Sequence, residues 1–263
     1  MISVCFATLL LATTTVAGTL AYETWTAEQY ADQSGKNIEV QLVQQQREYD
    51  GAGNVIGLEQ FQNNKQLIPL VESAQYDGTN FDKYGMPLAE GYVDQIVRVK
   101  NTGDDTAYVR IVVGIPAALD NANDAGLNVL HWNLGNRFMP NGTFNAQNAV
   151  NSDYKNVSWT FSETAMVKGI ECNIYIFTYQ DPLEVNQTTD AAAFVGFYLD
   201  ERVNVVDGRV LLDGMDTGFS DDEVKIYVKA QAVQSYGFES AKDAFNAEAS
   251  ISTNPWKSET LSY

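Results

Sequence analysis

Residues 224–246 read VKIYVKAQAVQSYGFESAKDAFN and carry the clearest structural pattern of the chain. From Val224 to Ala232, apolar residues alternate with lysine, tyrosine and glutamine, which is the period-2 pattern of a half-buried β-strand. The strand is predicted to stop at Gly237, and a short helical stretch is predicted over residues 238–246. We therefore expect a strand that closes the core of a β-sandwich.

Similar patterns upstream predict further strands. They cover residues 38–42, 55–61, 94–100, 108–115, 157–161, 166–179, 194–199 and 203–212. Turn-forming residues at 50–54 predict a hairpin between the first two strands, and those at 101–105 predict that the next two pair in the same way. Residues 62–91 and 117–155 lack a period and are predicted to be long loops. Strands separated by turns predict an all-β fold, a jelly-roll-like antiparallel β-sandwich with long loop excursions and short helices.

The first 21 residues have the features of a secretory signal peptide. They contain no Asp, Glu, Lys or Arg, and they end in Thr19-Leu20-Ala21, which approximates a small-x-small cleavage site. Cleavage there makes Tyr22 the first residue of the mature chain. We therefore predict a signal peptide over residues 1–21, an N-terminal extension over 22–36 and one β-sandwich domain over 37–263.

Composition limits the partners and the covalent chemistry. The 263-residue chain has 34 acidic against 16 basic residues and a net charge of -18, which disfavours nucleic acids and anionic membranes. Of its two cysteines, Cys5 lies in the predicted leader, so the mature chain holds no internal disulfide. Cys172 lies between Ile170 and Ile174 at the strand period, and it is predicted to be a small core hydrophobe.

Three motifs resemble those of one protein family. They are GTLAYETW at residues 18–25, VRVKNTGDDTAYVRI at 97–111 and AQAVQSYGFESAKDAFNA at 230–247. Their order and spacing are similar to the TasA/camelysin family of secreted biofilm-matrix fibre proteins, whose export uses a SipW-type signal peptidase. The resemblance implies a secreted structural protein of the extracellular matrix or cell surface, without catalytic residues, metal or cofactor. The implied partners are copies of itself in a head-to-tail homopolymer, the SipW-type signal peptidase and an accessory matrix protein, but no nucleic acid and, after processing, no membrane.

The resemblance also implies a donor strand, because the segment after the leader can insert into a neighbouring subunit in that family. An extended segment can complete the edge of a sheet through main-chain hydrogen bonds. Two alternatives stay open: a frayed terminus, or a strand that pairs within its own subunit. The candidate polymerisation residues are Tyr22, Glu23, Thr24, Trp25, Thr26, Ala27, Glu28, Gln29, Tyr30 and Ala31.

No catalytic or metal motif is apparent in the sequence. His131 is the only histidine, so a His-Glu-x-x-His zinc site cannot form, and no Gly-x-Ser-x-Gly elbow is present. We predict that His131 packs in a loop beside Trp132. The segment from Asp120 to Gly126 departs from a calcium-binding loop because Ala122 stands at the third ligand position. We interpret it as a solvated loop, together with the acidic residues Asp124, Asp213, Asp216, Asp221, Asp222 and Glu223.

Two further features bear on alternatives to a structural role. Asn141, Asn156 and Asn186 begin glycosylation sequons. The aromatic residues of the later strands could form a carbohydrate platform, but core packing explains them more simply; they are Tyr175, Phe177, Tyr179, Phe194, Phe197 and Tyr198. The alternatives are therefore an exported camelysin-like peptidase whose site has no recognisable motif, or a monomeric domain that binds glycans or a cell surface.

Overall fold

The computed structural model describes residues 20–31, 37–63, 65–67, 69, 91–121, 128–133, 157–219, 223–248 and 251–257. Its strands, in chain order, are β1 (Leu20–Ala31), β2 (Val40–Tyr49), β3 (Val55–Gln60), β4 (Lys65–Leu67), β5 (Val93–Asn101), β6 (Ala107–Pro116), β7 (Leu130–Asn133), β8 (Val157–Val167), β9 (Ile170–Tyr179), β10 (Phe194–Leu199), β11 (Val203–Val206), β12 (Arg209–Leu212), β13 (Met215–Asp216) and β14 (Glu223–Gln234). A short helix, α1 (Ala241–Ala247), follows β14. The predicted all-β class is confirmed.

Two sheets form the sandwich. Within the described residues, the first has the order β4-β1-β14-β6-β9-β8 and the second the order β3-β2-β5-β10-β7. Strands β11, β12 and β13 form a small third sheet. Neighbouring strands in these sheets are antiparallel, with the exception of β1 and β14, which run parallel. The predicted antiparallel sandwich is therefore confirmed, with one parallel pair at the strand that carries the candidate donor residues.

The core lies between the two large sheets, and β14 faces it as its pattern predicts. The inward residues Val224, Ile226, Val228, Ala230 and Ala232 are all completely buried. On the neighbouring β6, the core residues are those predicted at the strand period, Val109, Ile111, Val113 and Ile115. Because each fully buried Val or Ile contributes about 1.5–3 kcal/mol, this double row is a large part of the hydrophobic stabilisation.

The C-terminal segment covers the outer face of the first sheet. Ser240 caps α1 by accepting a hydrogen bond from the main-chain N–H of Asp243 at 3.2 Å, and Phe245 of the helix is buried. Trp256 is completely buried and packs edge-on against Tyr227, with 6.2 Å between the ring centroids. Cys172 belongs to the same outer cluster, which confirms its prediction as a buried hydrophobe. Strands β6 and β14 are therefore covered on both faces.

Three predictions of local structure are corrected. β5 and β6 do not pair with each other; they lie in opposite sheets, so residues 102–106 cross the sandwich instead of turning back. Residues 203–212 form the hairpin β11–β12 because Asp207 and Gly208, both with positive φ, make a turn. The predicted loop over 117–155 contains β7, which pairs with β10.

The crossing between β5 and β6 depends on Gly103. Its main-chain N–H donates to the carbonyl oxygen of Glu39 at 2.9 Å, and the next N–H, from Asp104, donates to Asn37 at 2.8 Å. A Cβ atom on residue 103 would lie 2.4 Å from the Asn37 carbonyl oxygen and 2.6 Å from the Glu39 nitrogen. Both contacts are with main chain, which cannot move aside without breaking these bonds.

We expect Gly103→Ala to lower the free energy of unfolding by about 1–3 kcal/mol or more, because overpacking forces the main chain apart. Urea unfolding followed by circular dichroism measures the loss. Gly51→Ala is the matched control, since no atom lies within 4 Å of its added Cβ. Equal stability of the two variants would contradict the close approach at Gly103.

Candidate functional site

The predicted donor residues all lie on β1, which is paired within its own chain. It runs parallel to β14 over eleven residue pairs, from Ala21 opposite Glu223 to Ala31 opposite Val233. Its first three residues also pair with β4, from Leu20 opposite Leu67 to Tyr22 opposite Lys65. Of the alternatives open from the sequence, the structure thus describes the strand within its own subunit. Residues 1–19 of the predicted leader lie outside the described residues.

A groove between β14 and β4 holds this strand. On one side of the groove lies the edge of β14, whose inward side chains are completely buried. On the other side lies β4, whose completely buried Leu67 is opposite Leu20. Strand β2 of the opposite sheet packs against both β1 and β14. Without β1, the main-chain groups along this edge of β14 and the apolar side chains beside it would be exposed to water, which is costly for both.

The position of β1 in the chain makes it separable. It is the first strand among the described residues, and the eight residues between Ala31 and Val40 connect it to the rest of the described domain. It can therefore leave the groove without threading any other segment through the sheet. Fully extended, this connection spans about 30 Å, at roughly 3.3–3.6 Å per residue. That reach is comparable to the diameter of a small domain.

Asp120 is not a solvated loop residue, as predicted, but the centre of a buried network. Its exposed fraction is 2%, and four side chains donate hydrogen bonds to its carboxylate. Oδ1 accepts from Asn128 at 3.2 Å and Trp132 at 3.3 Å, and Oδ2 accepts from Asn173 at 3.0 Å and Tyr175 at 2.5 Å. Burial raises the pKa of Asp120, and the bonds from Tyr175, Asn173 and Trp132 oppose that rise. The prediction failed because two of these partners, Asn173 and Tyr175, come from β9, more than fifty residues further along the chain.

A cleft of about 460 Å³ opens beside this network. Its walls include Phe161 and Thr164 of β8 and Met215 and Asp216 of β13. Because each Asp120 oxygen already accepts two hydrogen bonds, the carboxylate has no lone pair directed at a ligand. The network therefore holds the segment before β7 against the sheet and is structural.

His131 lies on β7, not in a loop as predicted, and it is buried. Its Nε2 lies 2.8 Å from Oδ2 of Asp200, and its ring stacks on Tyr198 with centroids 4.9 Å apart. Burial raises the pKa of Asp200, but hydrogen bonds from His131 and Arg202 outweigh it, so the net pKa is below its ordinary value. A Ser-His-Asp site also needs a nucleophile bonded to the histidine. In the part of the chain that the structure describes, no serine, threonine or cysteine makes such a bond to His131.

The remaining predicted residues fall into three groups. Asn186 is exposed in a turn with φ of 65°, whereas Asn141 and Asn156 lie outside the described residues. Asp213 and Asp216 are exposed and pair with Arg202 and Arg209; Asp124, Asp221, Asp222 and the Glu223 side chain are not described. The aromatic residues considered for a carbohydrate platform are buried, which confirms core packing; they are Tyr175, Phe177, Tyr179, Phe194, Phe197 and Tyr198.

Two searches of the described ranges bear on other functions. No helix there is long and apolar enough to cross a membrane. No group of three or more His, Cys, Asp or Glu residues in those ranges is arranged to hold a metal ion. In comparisons with known proteins, no family model, no curated protein and no solved structure matches this chain.

Proposed function

We propose that this chain is a secreted structural protein of the TasA/camelysin type that assembles into extracellular filaments or biofilm matrix. Each subunit lends residues 22–31 to the groove between β14 and β4 of the next copy. The observation that carries the proposal is the place of β1: the first of the described strands, parallel to β14, in a groove lined by buried apolar side chains. A segment held in this way can be exchanged for the same segment of a neighbour.

The exchange changes the number of contacts that each groove makes very little. A donated β1 makes the same main-chain bonds and buries the same groove as the chain's own β1, so the balance depends on the connection and on concentration. A strand tethered by a short connection has an effective concentration of roughly millimolar. The closed monomer is therefore favoured in dilute solution, and assembly requires a high local concentration such as that at a secreting cell surface.

The exchange also generates a filament. Donor strand and acceptor groove are different surfaces of one subunit, so the contact is heterologous, and a repeat that does not close on itself is open-ended. Removal of the leader by the SipW-type signal peptidase also removes Leu20 and Ala21 from β1, so Tyr22 becomes its free end and is the residue that still pairs with β4. The charge of -18 keeps subunits soluble before assembly. No cofactor is needed.

The test is electron microscopy of the mature chain, concentrated to the millimolar range, beside a variant that lacks residues 22–31. We expect filaments from the first and none from the second. Because the truncated chain has an open groove, a synthetic peptide of residues 22–31 should bind it, raise its Tm and still yield no filaments. Filaments from the truncated chain would overturn the proposal. Peptide cleavage that His131→Ala abolishes would favour the exported peptidase instead.

A further inference from the structure

A row of polar side chains crosses the outer face of the first sheet. Gln231 of β14 is opposite Arg110 of β6, Arg110 is opposite Thr178 of β9, and Thr178 is opposite Ser158 of β8. Because residues directly opposite each other in neighbouring strands lie on the same face of a sheet, these four form one line. Phe245 of α1 lies over Arg110 within this line.

Arg110 is the charged member of this row, and it is only partly satisfied. Its exposed fraction is 6%. Nε donates to Oε1 of Gln231 at 2.6 Å, Nη2 donates to the carbonyl oxygen of Ser252 at 3.2 Å, and the guanidinium lies over the Phe245 ring at 4.3 Å. Nη1 donates to none of the described residues, and no carboxylate among them forms an ion pair with Arg110. Desolvation lowers the pKa of Arg110 to about 10, so it stays charged at neutral pH.

A pocket of about 250 Å³ lies directly beside this guanidinium. Besides Arg110, its described lining residues are the hydroxyl-bearing Ser158, Thr160 and Thr178, the amide-bearing Gln180 and Asn246, the cationic Lys242 and the apolar Ile176 and Phe245. Among the described residues, no aspartate or glutamate lines it. The chain has 34 acidic and 16 basic residues, yet two cations, Arg110 and Lys242, line this pocket, and neither forms an ion pair with a carboxylate of the described residues.

We propose that this pocket binds a carboxylate group. The two N–H groups of Nη1 supply charged donors, Lys242 supplies a second charge, and the hydroxyl groups of the row complete the donor set. Arg110 has no carboxylate partner among the described residues, and a bound carboxylate would give this desolvated cation a counter-ion. The carboxylate belongs either to a small free ligand or to an acidic side chain of a second copy of this chain. The proposal does not rest on filament formation.

The experiment is acetate titration of the full chain, followed by NMR of the side-chain N–H groups, with chloride at equal ionic strength and neutral acetamide as controls. We expect saturable binding of acetate but not of acetamide. Lys242→Gln, an exposed change that should not affect folding, is expected to weaken binding at least threefold. Arg110→Gln is expected to weaken it at least tenfold. Arg209→Gln, which removes an exposed cation elsewhere, should leave the dissociation constant unchanged.

Measuring the self-association of the chain distinguishes the two possible sources of the carboxylate. If acetate and Arg110→Gln both weaken self-association, measured by sedimentation at matched ionic strength, the group comes from a second copy. If acetate binds and association is unaffected, the ligand is a free small carboxylate. Absence of saturable acetate binding, or binding that both Lys242→Gln and Arg110→Gln leave unchanged, overturns the proposal.

Discussion

A disulfide between residues 23 and 225 is expected to hold the chain as a monomer and abolish filaments completely. Glu23 is directly opposite Lys225 in the β1–β14 ladder. Neighbouring strands lie about 4.8 Å apart, within the Cα separation of about 4.4–6.8 Å that disulfides require. Glu23→Cys with Lys225→Cys therefore fastens β1 into its own groove, and no strand remains to donate. Microscopy and light scattering before and after reduction measure the effect.

The matched control shares one of the two cysteines. Gln29→Cys with Lys225→Cys cannot close within a chain, because Gln29 is opposite Gln231, six residues or about 20 Å further along the strand. This variant should assemble like the parent under oxidising conditions. All variants are mature chains that begin at Tyr22 and therefore lack Cys5, and the native Cys172 does not compete, because burial raises the pKa of its thiol to about 12. Filaments from the 23–225 variant that was oxidised as a dilute monomer before assembly would contradict strand donation.

The second large effect concerns the buried ion pair between Arg47 of β2 and Asp94 of β5. Nε and Nη2 of Arg47 donate to the two carboxylate oxygens at 2.7 and 2.6 Å, and the side chains are only 2% and 9% exposed. Removing one partner leaves the other charge buried. We therefore expect Arg47→Ala or Asp94→Ala each to lower the free energy of unfolding by about 3–5 kcal/mol.

Two comparisons show whether burial causes this effect. The double variant Arg47→Ala with Asp94→Ala should lose much less than the sum of the single losses, since no charge is left uncompensated. Arg209→Ala removes an exposed pair with Asp216 and should cost at most about 1 kcal/mol. Additive losses in the double variant would show that the two side chains are not coupled. Urea unfolding at pH 7 measures all four variants.

Local patterns predicted much of the sandwich. The alternation in β14 and β6 needs no information beyond neighbouring residues, and both strands face the core as expected. The β2–β3 hairpin is equally local, because Oδ1 of Asp50 accepts from the main-chain N–H groups of Ala52 and Asn54 inside the turn. Such a turn forms from its own residues.

Long-range placement was not predictable in this way. The composition of residues 101–105 is compatible both with a hairpin turn and with a crossing to the other sheet. The main-chain hydrogen bonds of this segment to residues 37–39 select the crossing. The sequence around Asp120 is that of a loop, and it does not reveal that Asn173 and Tyr175 of β9 donate hydrogen bonds to the carboxylate. The pairing of β1 with β14 brings together strands that are about 190 residues apart in the sequence, and the pattern of neither strand identifies the other as its partner. Membership of the TasA/camelysin family stays a prediction.

The most direct test of strand donation mixes two variants, neither of which can form the 23–225 disulfide within its own chain. Both are mature chains from Tyr22; one carries only Glu23→Cys and the other only Lys225→Cys, and they are assembled together at equal concentration and then oxidised. The account predicts a covalent dimer in which mass spectrometry finds residue 23 of one chain joined to residue 225 of the other. Filaments that contain no such bond, with β1 still in its own chain, would contradict it.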